Sequence, residues 1–240
     1  MVLLAAAAAW GRRPDAWRAT LAFTVLLAGL VLTFSQTSML ALIAGVGVLV
    51  LAVWGLGRGL AIGAAAALAL AAAVLALGGG GLTAETTGRT GLVSGGLELA
   101  GDRPLAGHGS GSFGDRFEDR FGGGDGIAVE SHTEPVTVAA EQGAVGLVAY
   151  ATLLAVSVLA LWRSAGFGRG GPRSPLGATL FAGYVAMLVH SFGYAAFLTD
   201  PITWALLALG AALPSIAPLA ADEGRRAPAV DSRPPTPEAV

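Results

Sequence analysis

Apolar residues fall along this chain in long unbroken blocks separated by short polar breaks, with one wide polar gap in the middle. Six blocks reach the length of a bilayer crossing: Trp17–Phe34, Ser38–Gly57, Gly59–Gly78, Gly143–Trp162, Leu176–Thr199 and Pro201–Ala220. The hydrocarbon core is about 30 Å thick and a helix rises about 1.5 Å per residue, so about 20 mainly apolar residues span it. No Asp or Glu interrupts any block, and Arg18, at the edge of the first, is the one cation inside them. Buried helices of a large soluble core seldom lack a polar stripe so completely. The pattern therefore predicts an all-α polytopic membrane protein with six transmembrane helices. Met1–Trp10 is apolar too, but reaches only about 15 Å as a helix. Its cations follow the apolar run, the reverse of a signal peptide. Residues 1–16 read as an N-terminal stub: the tail of an earlier helix, an interfacial segment or a misplaced start.

Composition and charge agree with this reading and orient it. The chain is 54% apolar and 12% charged, about half the charged share of a soluble domain. It has no cysteine, which excludes disulfides, thiolate metal sites and a cysteine nucleophile. All 14 cations are arginines and the net charge is −2, with no basic face of the kind nucleic acid requires. If the six helices alternate, Arg12, Arg13, Arg18, Arg58, Arg163, Arg169, Arg173, Arg225, Arg226 and Arg233 fall on one side. Cytoplasmic loops are enriched in arginine, so that side is the cytoplasm and both termini lie there. Residues 17–220 form the transmembrane domain, and the proline-rich stretch 221–240 reads as a disordered cytoplasmic tail.

The wide polar gap, residues 79–142, is then a long outward-facing loop, and its patterning predicts short helices on the membrane surface. Arg89–Ala100 carries Leu92, Val93, Leu97 and Leu99 at amphipathic spacing and stops at Asp102-Arg103-Pro104. A glycine-rich turn, Gly107–Phe113, follows. Phe113, Phe117 and Phe121 recur every four residues, one aromatic stripe on a short helix. Ser131-His132-Thr133-Glu134-Pro135 reads as a helix start, with Thr133 as N-cap and Pro135 in the first turn, running on into the fourth span. The loop gathers Arg89, Arg103, His108, Arg116, Arg120, His132 and Glu141 just above the bilayer. Arginines on this side run against the inside-positive bias, and their planar fork suits an anionic ligand such as phosphate. For Arg116 and Arg120 the plainer reading is ion pairing with Asp115, Glu118 and Asp119. His132 is placed to accept a proton, or to cap a helix at the surface. His190, read as lying about 13 Å below the outer end of the fifth span, faces the bundle interior or a cavity, or bonds a neighbouring helix. His108 reads as a surface turn histidine.

Other chemistries find no support in the pattern. The glycine turn lacks the lysine of a phosphate loop and follows no strand. Ser110 and Ser112 lie outside the bundle, where a membrane serine protease would not keep its nucleophile. The three histidines have no metal-ligand spacing, so no metal and no cofactor are expected. No internal repeat suggests an inverted-repeat transporter.

Four blocks, taken in order, resemble the C-terminal half of the O-antigen ligase family, the membrane glycosyltransferases that include polysaccharide polymerases. These are Thr33–Leu40; Arg89-Thr-Gly-Leu-Val with Asp102-Arg-Pro-Leu-Ala-Gly-His-Gly-Ser-Gly-Ser-Phe113; Ser131-His-Thr-Glu-Pro with Ala140-Glu-Gln-Gly143; and Val189-His-Ser-Phe with Pro201. The resemblance implies a bacterial inner-membrane enzyme that takes a glycan from a polyprenyl-pyrophosphate donor and passes it to a hydroxyl on a glycan or lipid acceptor, with inversion and without a metal. Carried over by position, Arg89 would bind the donor pyrophosphate and His132 would act as base or position the acceptor. Where the family carries a second arginine this chain has Gln36, leaving Arg103 or Arg116 to supply the other arm. Gln36 and His190 would line the cavity. The alternative is a non-enzymatic membrane subunit, a transporter component or a module completing another chain's bundle, including an inactive or truncated homologue.

Overall fold

The computed structural model describes residues 1–10, 13–33, 35–55, 82–122, 131, 133–167, 174–193 and 197–226, with the backbone alone at 13–14, 82–90 and 214–226. Every regular element among them is helical: α1 (Val2–Trp10), α2 (Arg13–Leu32), α3 (Gln36–Gly55), α4 (Leu82–Asp102), α5 (Phe113–Phe121), α6 (Glu134–Ser164), α7 (Pro175–His190) and α8 (Pro201–Arg226). Among the described residues three helices are long and apolar enough to cross a membrane: α2 over Asp15–Leu32, α3, and α6. The expected span Gly59–Gly78 lies outside the described residues.

Several boundaries depart from the sequence reading, and α4 begins at Leu82, seven residues before the expected Arg89. The block Leu176–Thr199 is not one helix, because α7 stops at His190 and Ser191–Gly193 forms a turn. Ser191 directs its hydroxyl to the Leu188 carbonyl, a local bond that competes with continued helix, and a glycine follows two residues on. At the other end, α8 runs to Arg226, so the first residues of the stretch read as a disordered tail are helical. The sequence Leu219-Ala-Ala-Asp-Glu is compatible with that extension.

Helix starts follow from local chemistry. Ser174 caps α7 by accepting the Gly177 N–H at 3.1 Å, with Pro175 in the first turn. Asp200 accepts the Ile202 N–H at 2.7 Å ahead of Pro201 and opens α8 in the same way. Between α2 and α3, Thr33 and Ser35 close a tight turn, with Ser35 donating to Ser38 at 2.8 Å.

Helices α6, α7 and α8 share the main apolar core, in which Tyr150, Leu161, Phe181, Tyr184 and Phe197 are buried. Gly177 of α7 sits against the Ser164 carbonyl, the Tyr184 hydroxyl reaches Ser157, and Tyr150 is turned toward Ser191. Each step of seven residues down α6 is matched by seven up α7, so the two are antiparallel neighbours. Helix α8 runs alongside, with Gly210 against Leu161. Helix α1 is part of this bundle. Its Val2 fills a notch at Gly45 of α3, where an added Cβ would lie 2.8 Å from Val2 Cγ2 and 3.0 Å from the Ala182 carbonyl oxygen. Ala6 of α1, Leu49 and Ala182 are buried together there.

Candidate functional site

The polar middle of the chain is organised by a break in α6. Gly143 adopts φ 63 and ψ −158, a conformation reserved almost entirely for glycine. A break of this kind strands the helical N–H and C=O groups on either side of it, and stranded groups away from water are costly. The glycine-rich turn supplies the missing partners. His108 N–H donates to the Ala140 carbonyl at 3.0 Å and Gly109 N–H to the Glu141 carbonyl at 2.7 Å. In return, Ala144 N–H donates to the Pro104 carbonyl at 2.7 Å and Val145 N–H to the Leu105 carbonyl at 3.3 Å. Gly107, Gly109 and Gly111 all have positive φ, which explains why glycine recurs at every second position of the turn. A Cβ at Gly143 would lie 2.5 Å from the Leu105 carbonyl carbon and oxygen, so the two backbones touch without a side chain between them.

The side chains around this splint reinforce it. Glu141 is buried and its Oε1 accepts the Phe113 N–H at 3.1 Å, placing a carboxylate at the start of α5. His108 Nε2 lies 3.0 Å from the Leu99 carbonyl near the end of α4, a pair that the Nε2–H tautomer satisfies. The expected Phe113–Phe117–Phe121 stripe is present, with ring centroids 5.8 and 4.8 Å apart. It docks on α4 at Gly95 and Gly96, where the absent side chains let Phe117 and Phe113 approach. The docking face of α4 is Leu92, Gly95, Gly96 and Leu99, whereas Leu97 is 57% exposed. Gly96 lies against Val136 and Leu99 packs beside Ala140, so α4 runs parallel to the first segment of α6.

A second convergence lies at the start of α6. The Glu134 N–H donates to the Ser191 carbonyl at 3.3 Å, and the Thr133 hydroxyl to the Phe192 carbonyl at 3.4 Å. Ser131 is fully buried and bonds both the Thr133 carbonyl and the Thr137 hydroxyl. Gly193 is pressed against Thr37, the second residue of α3. The starts of α6 and α3 and the end of α7 therefore meet at one corner. Thr133 is the N-cap residue with Pro135 in the first turn, as the sequence predicts, although its hydroxyl makes no capping bond.

Against this frame the candidate residues are distributed unevenly. His132 lies outside the described residues, between Ser131 and Thr133 of the corner. Arg89 is within α4, seven residues or about 10 Å of helix before Gly96. Gln36 is exposed as the first residue of α3, and His190 is half-buried as the last residue of α7, so both reach the same corner. His190 is therefore at a helix end, because α7 terminates there and does not continue to Thr199. Arg103 is exposed beside the splint and, among the described residues, engages no ion pair. Its neighbour Pro104 bonds Ala144, whereas Glu134 is nine residues before Gly143, about 13 Å of helix. Arg116 pairs with Asp119 at 3.6 Å, and both are exposed. Arg120 reaches off α5 to Glu98 and Asp102 of α4, not to the nearer acids of its own helix. Among the described residues no cluster of His, Asp or Glu could hold a metal ion. Sequence patterning does not single out Gly143 as a helix break. A glycine at the head of an apolar block, closing the Ala140–Gly143 family block, is the available signal.

The O-antigen ligase family model matches residues 21–151, from within α2 through the splint into the spanning part of α6, taking in the α3 and α6 sides of the corner. No curated protein and no solved structure matches the chain significantly. The matched region covers more than half of the 240 residues and includes both halves of the interlocked splint. The chain belongs to the O-antigen ligase family.

Proposed function

We propose that this chain transfers or polymerises a glycan carried on polyprenyl pyrophosphate, passing it to an acceptor hydroxyl at the outer face of the bacterial cell membrane. The observation that carries this reading, beside family membership, is the splint. It clamps α4, the helix of Arg89, parallel to the first segment of α6, whose start flanks His132. Along the axis of α4, Arg89 lies about 7 Å beyond the level of Glu134. In the proposed reaction Arg89 holds the donor diphosphate, with Arg103 or Arg116 as the second arm in place of Gln36. The acceptor oxygen attacks the anomeric carbon, the bond to the diphosphate breaks with inversion, and His132 takes the acceptor proton or orients that hydroxyl. Arginine neutralises the leaving diphosphate where water is scarce, which is the work a metal does elsewhere.

The topology proposed with it has six spans, including Gly59–Gly78, with both termini cytoplasmic and the loop 79–142 outside. Arg89→Ala and His132→Ala, singly and together, are expected to abolish glycan transfer in a reconstituted assay while the protein still inserts. Full activity in the double variant would overturn the assignment.

A further inference from the structure

The two carboxylates of α6, Glu134 and Glu141, both precede the break at Gly143, and from Ala144 to Trp162 the helix carries no charge. That segment is about 28 Å long, close to the roughly 30 Å of a bilayer's hydrocarbon core. The whole of α6, at 31 residues, is about 46 Å and would overshoot it. Tyr150 and Leu161 are buried against the bundle on one face of the segment, while Val145, Val148, Val156 and Leu159 are exposed on the other. Thr152 interrupts this exposed stripe, and its hydroxyl donates to the Val148 carbonyl at 2.7 Å. A polar side chain satisfied within its own helix is what a hydrocarbon environment demands.

Leu105 continues the stripe beyond the helix. Its carbonyl accepts the Val145 N–H, which puts this turn residue level with the first turn of the uncharged segment. Leu105 is 72% exposed and Val145 71%, so two bulky apolar residues joined by a main-chain bond both stand bare. Pro104 is exposed as well, and its carbonyl is taken by the Ala144 N–H. The tip therefore presents apolar side chains while both of its carbonyls are already paired, as entry into lipid requires. Asp102 and Arg103, charged and exposed, come immediately before it. An exposed leucine alone is ordinary on a protein surface. This one sits where helix length sets the edge of the hydrocarbon, bonded to the stripe that faces lipid. We infer that the Pro104–Leu105 tip is a membrane anchor, its leucine seated among lipid acyl chains at the rim of the bilayer core. The inference rests on α6 crossing the membrane and is independent of glycan transfer. Its effect is to fix the height of the turn: Arg103, within about 7 Å of main chain from Leu105, is held at the depth of the lipid phosphates.

The test places single cysteines at Leu105, Ser110 and Val148 in the full chain, which has no other cysteine, and labels each with an environment-sensitive fluorophore. The labelled proteins are reconstituted in phosphatidylcholine vesicles with either a nitroxide on the upper acyl chain or iodide on both faces. Ser110 is the aqueous reference, since its neighbour Gly109 bonds Glu141 on the far side of the break. Val148 is the lipid reference. The Leu105 label is expected about 5–10 Å into the headgroup–acyl boundary, losing its emission to the nitroxide as Val148 does and ignoring iodide. Quenching by iodide and not by nitroxide overturns the anchor. So does a label reached by neither quencher, which would mean that protein, a second copy included, covers the leucine. A second measurement needs no label. In lipid nanodiscs Leu105→Asp is expected to lower the unfolding temperature, whereas Ser110→Asp leaves it unchanged; a leucine in water would tolerate the exchange, and equal temperatures overturn the anchor. If the Val148 label is itself open to iodide, the premise that α6 spans the membrane fails first, and the anchor with it.

Discussion

Replacing Gly143 by alanine adds one methyl group at the point where α6 breaks, and the structure gives that methyl nowhere to go. The backbone conformation at φ 63, ψ −158 costs a non-glycine residue about 1–3 kcal/mol. The new Cβ would also lie 2.5 Å from the Leu105 carbonyl group, which is backbone and cannot rotate away. Relief requires the turn to withdraw, breaking some or all of four backbone hydrogen bonds worth about 1 kcal/mol each. The combined penalty is about 3–6 kcal/mol, or roughly 6–24 °C in unfolding temperature. Two other glycines calibrate it. Gly109 has φ 110 but open space around it, so Gly109→Ala carries only the backbone cost, about 1–3 kcal/mol. Gly101 lies in α4 with nothing near it, and alanine there is neutral or stabilising by up to about 1 kcal/mol. Thermal unfolding in a mild detergent, followed by tryptophan fluorescence, measures all three. If Gly143→Ala is no worse than Gly109→Ala, the interlock of turn and break is not what holds this region.

Two further outcomes follow from the same frame. Glu141→Gln keeps an oxygen for the Phe113 N–H and is expected to cost about 1 kcal/mol. Glu141→Ala leaves that buried N–H unpaired and is expected to cost about 2–3 kcal/mol in the same assay, and equal costs would remove the carboxylate from the start of α5. Because the chain has no cysteine, single cysteines report topology without background. Ser110→Cys is expected to react with a membrane-impermeant maleimide on intact cells and Arg163→Cys only after lysis; the opposite pattern would invert the orientation.

Much of the local structure was legible in the sequence because side chains write it. The phenylalanine stripe of α5, the Thr133–Pro135 start of α6 and the apolar spans of α2, α3 and α6 are read from residues that are present. The order of the family blocks was legible for the same reason. What escaped is carried by the backbone or by missing side chains. Gly95 and Gly96 are poor helix formers on paper, yet they are the surface on which α5 and Val136 dock, while bulky Leu97 points out. The end of α7 was missed because Ser191 and Gly193 sit in an apolar run that looks continuous to Thr199. The role of Gly143 could not be read without knowing that a turn more than thirty residues earlier lies against it. For the site, sequence order alone placed His132 and Gln36 far apart. The structure links their neighbourhoods through the turn after α7, by Thr133 on one side and Thr37 on the other.

The alternation in the glycine turn has a consequence for how such a protein can diversify. Gly107, Gly109 and Gly111 hold the turn's shape, and the bonds to α6 come from main-chain atoms, so the latch itself reads almost no side chain. Ala106, just before those glycines, and Ser110, between the last two, are exposed, while His108, between the first two, reaches the Leu99 carbonyl. Holding and display thus sit side by side within one short segment. The displayed positions are free to change character, from small to polar to charged, without loosening the break that sets the direction of α6. A lineage can retune what this turn presents and leave the interlock underneath untouched.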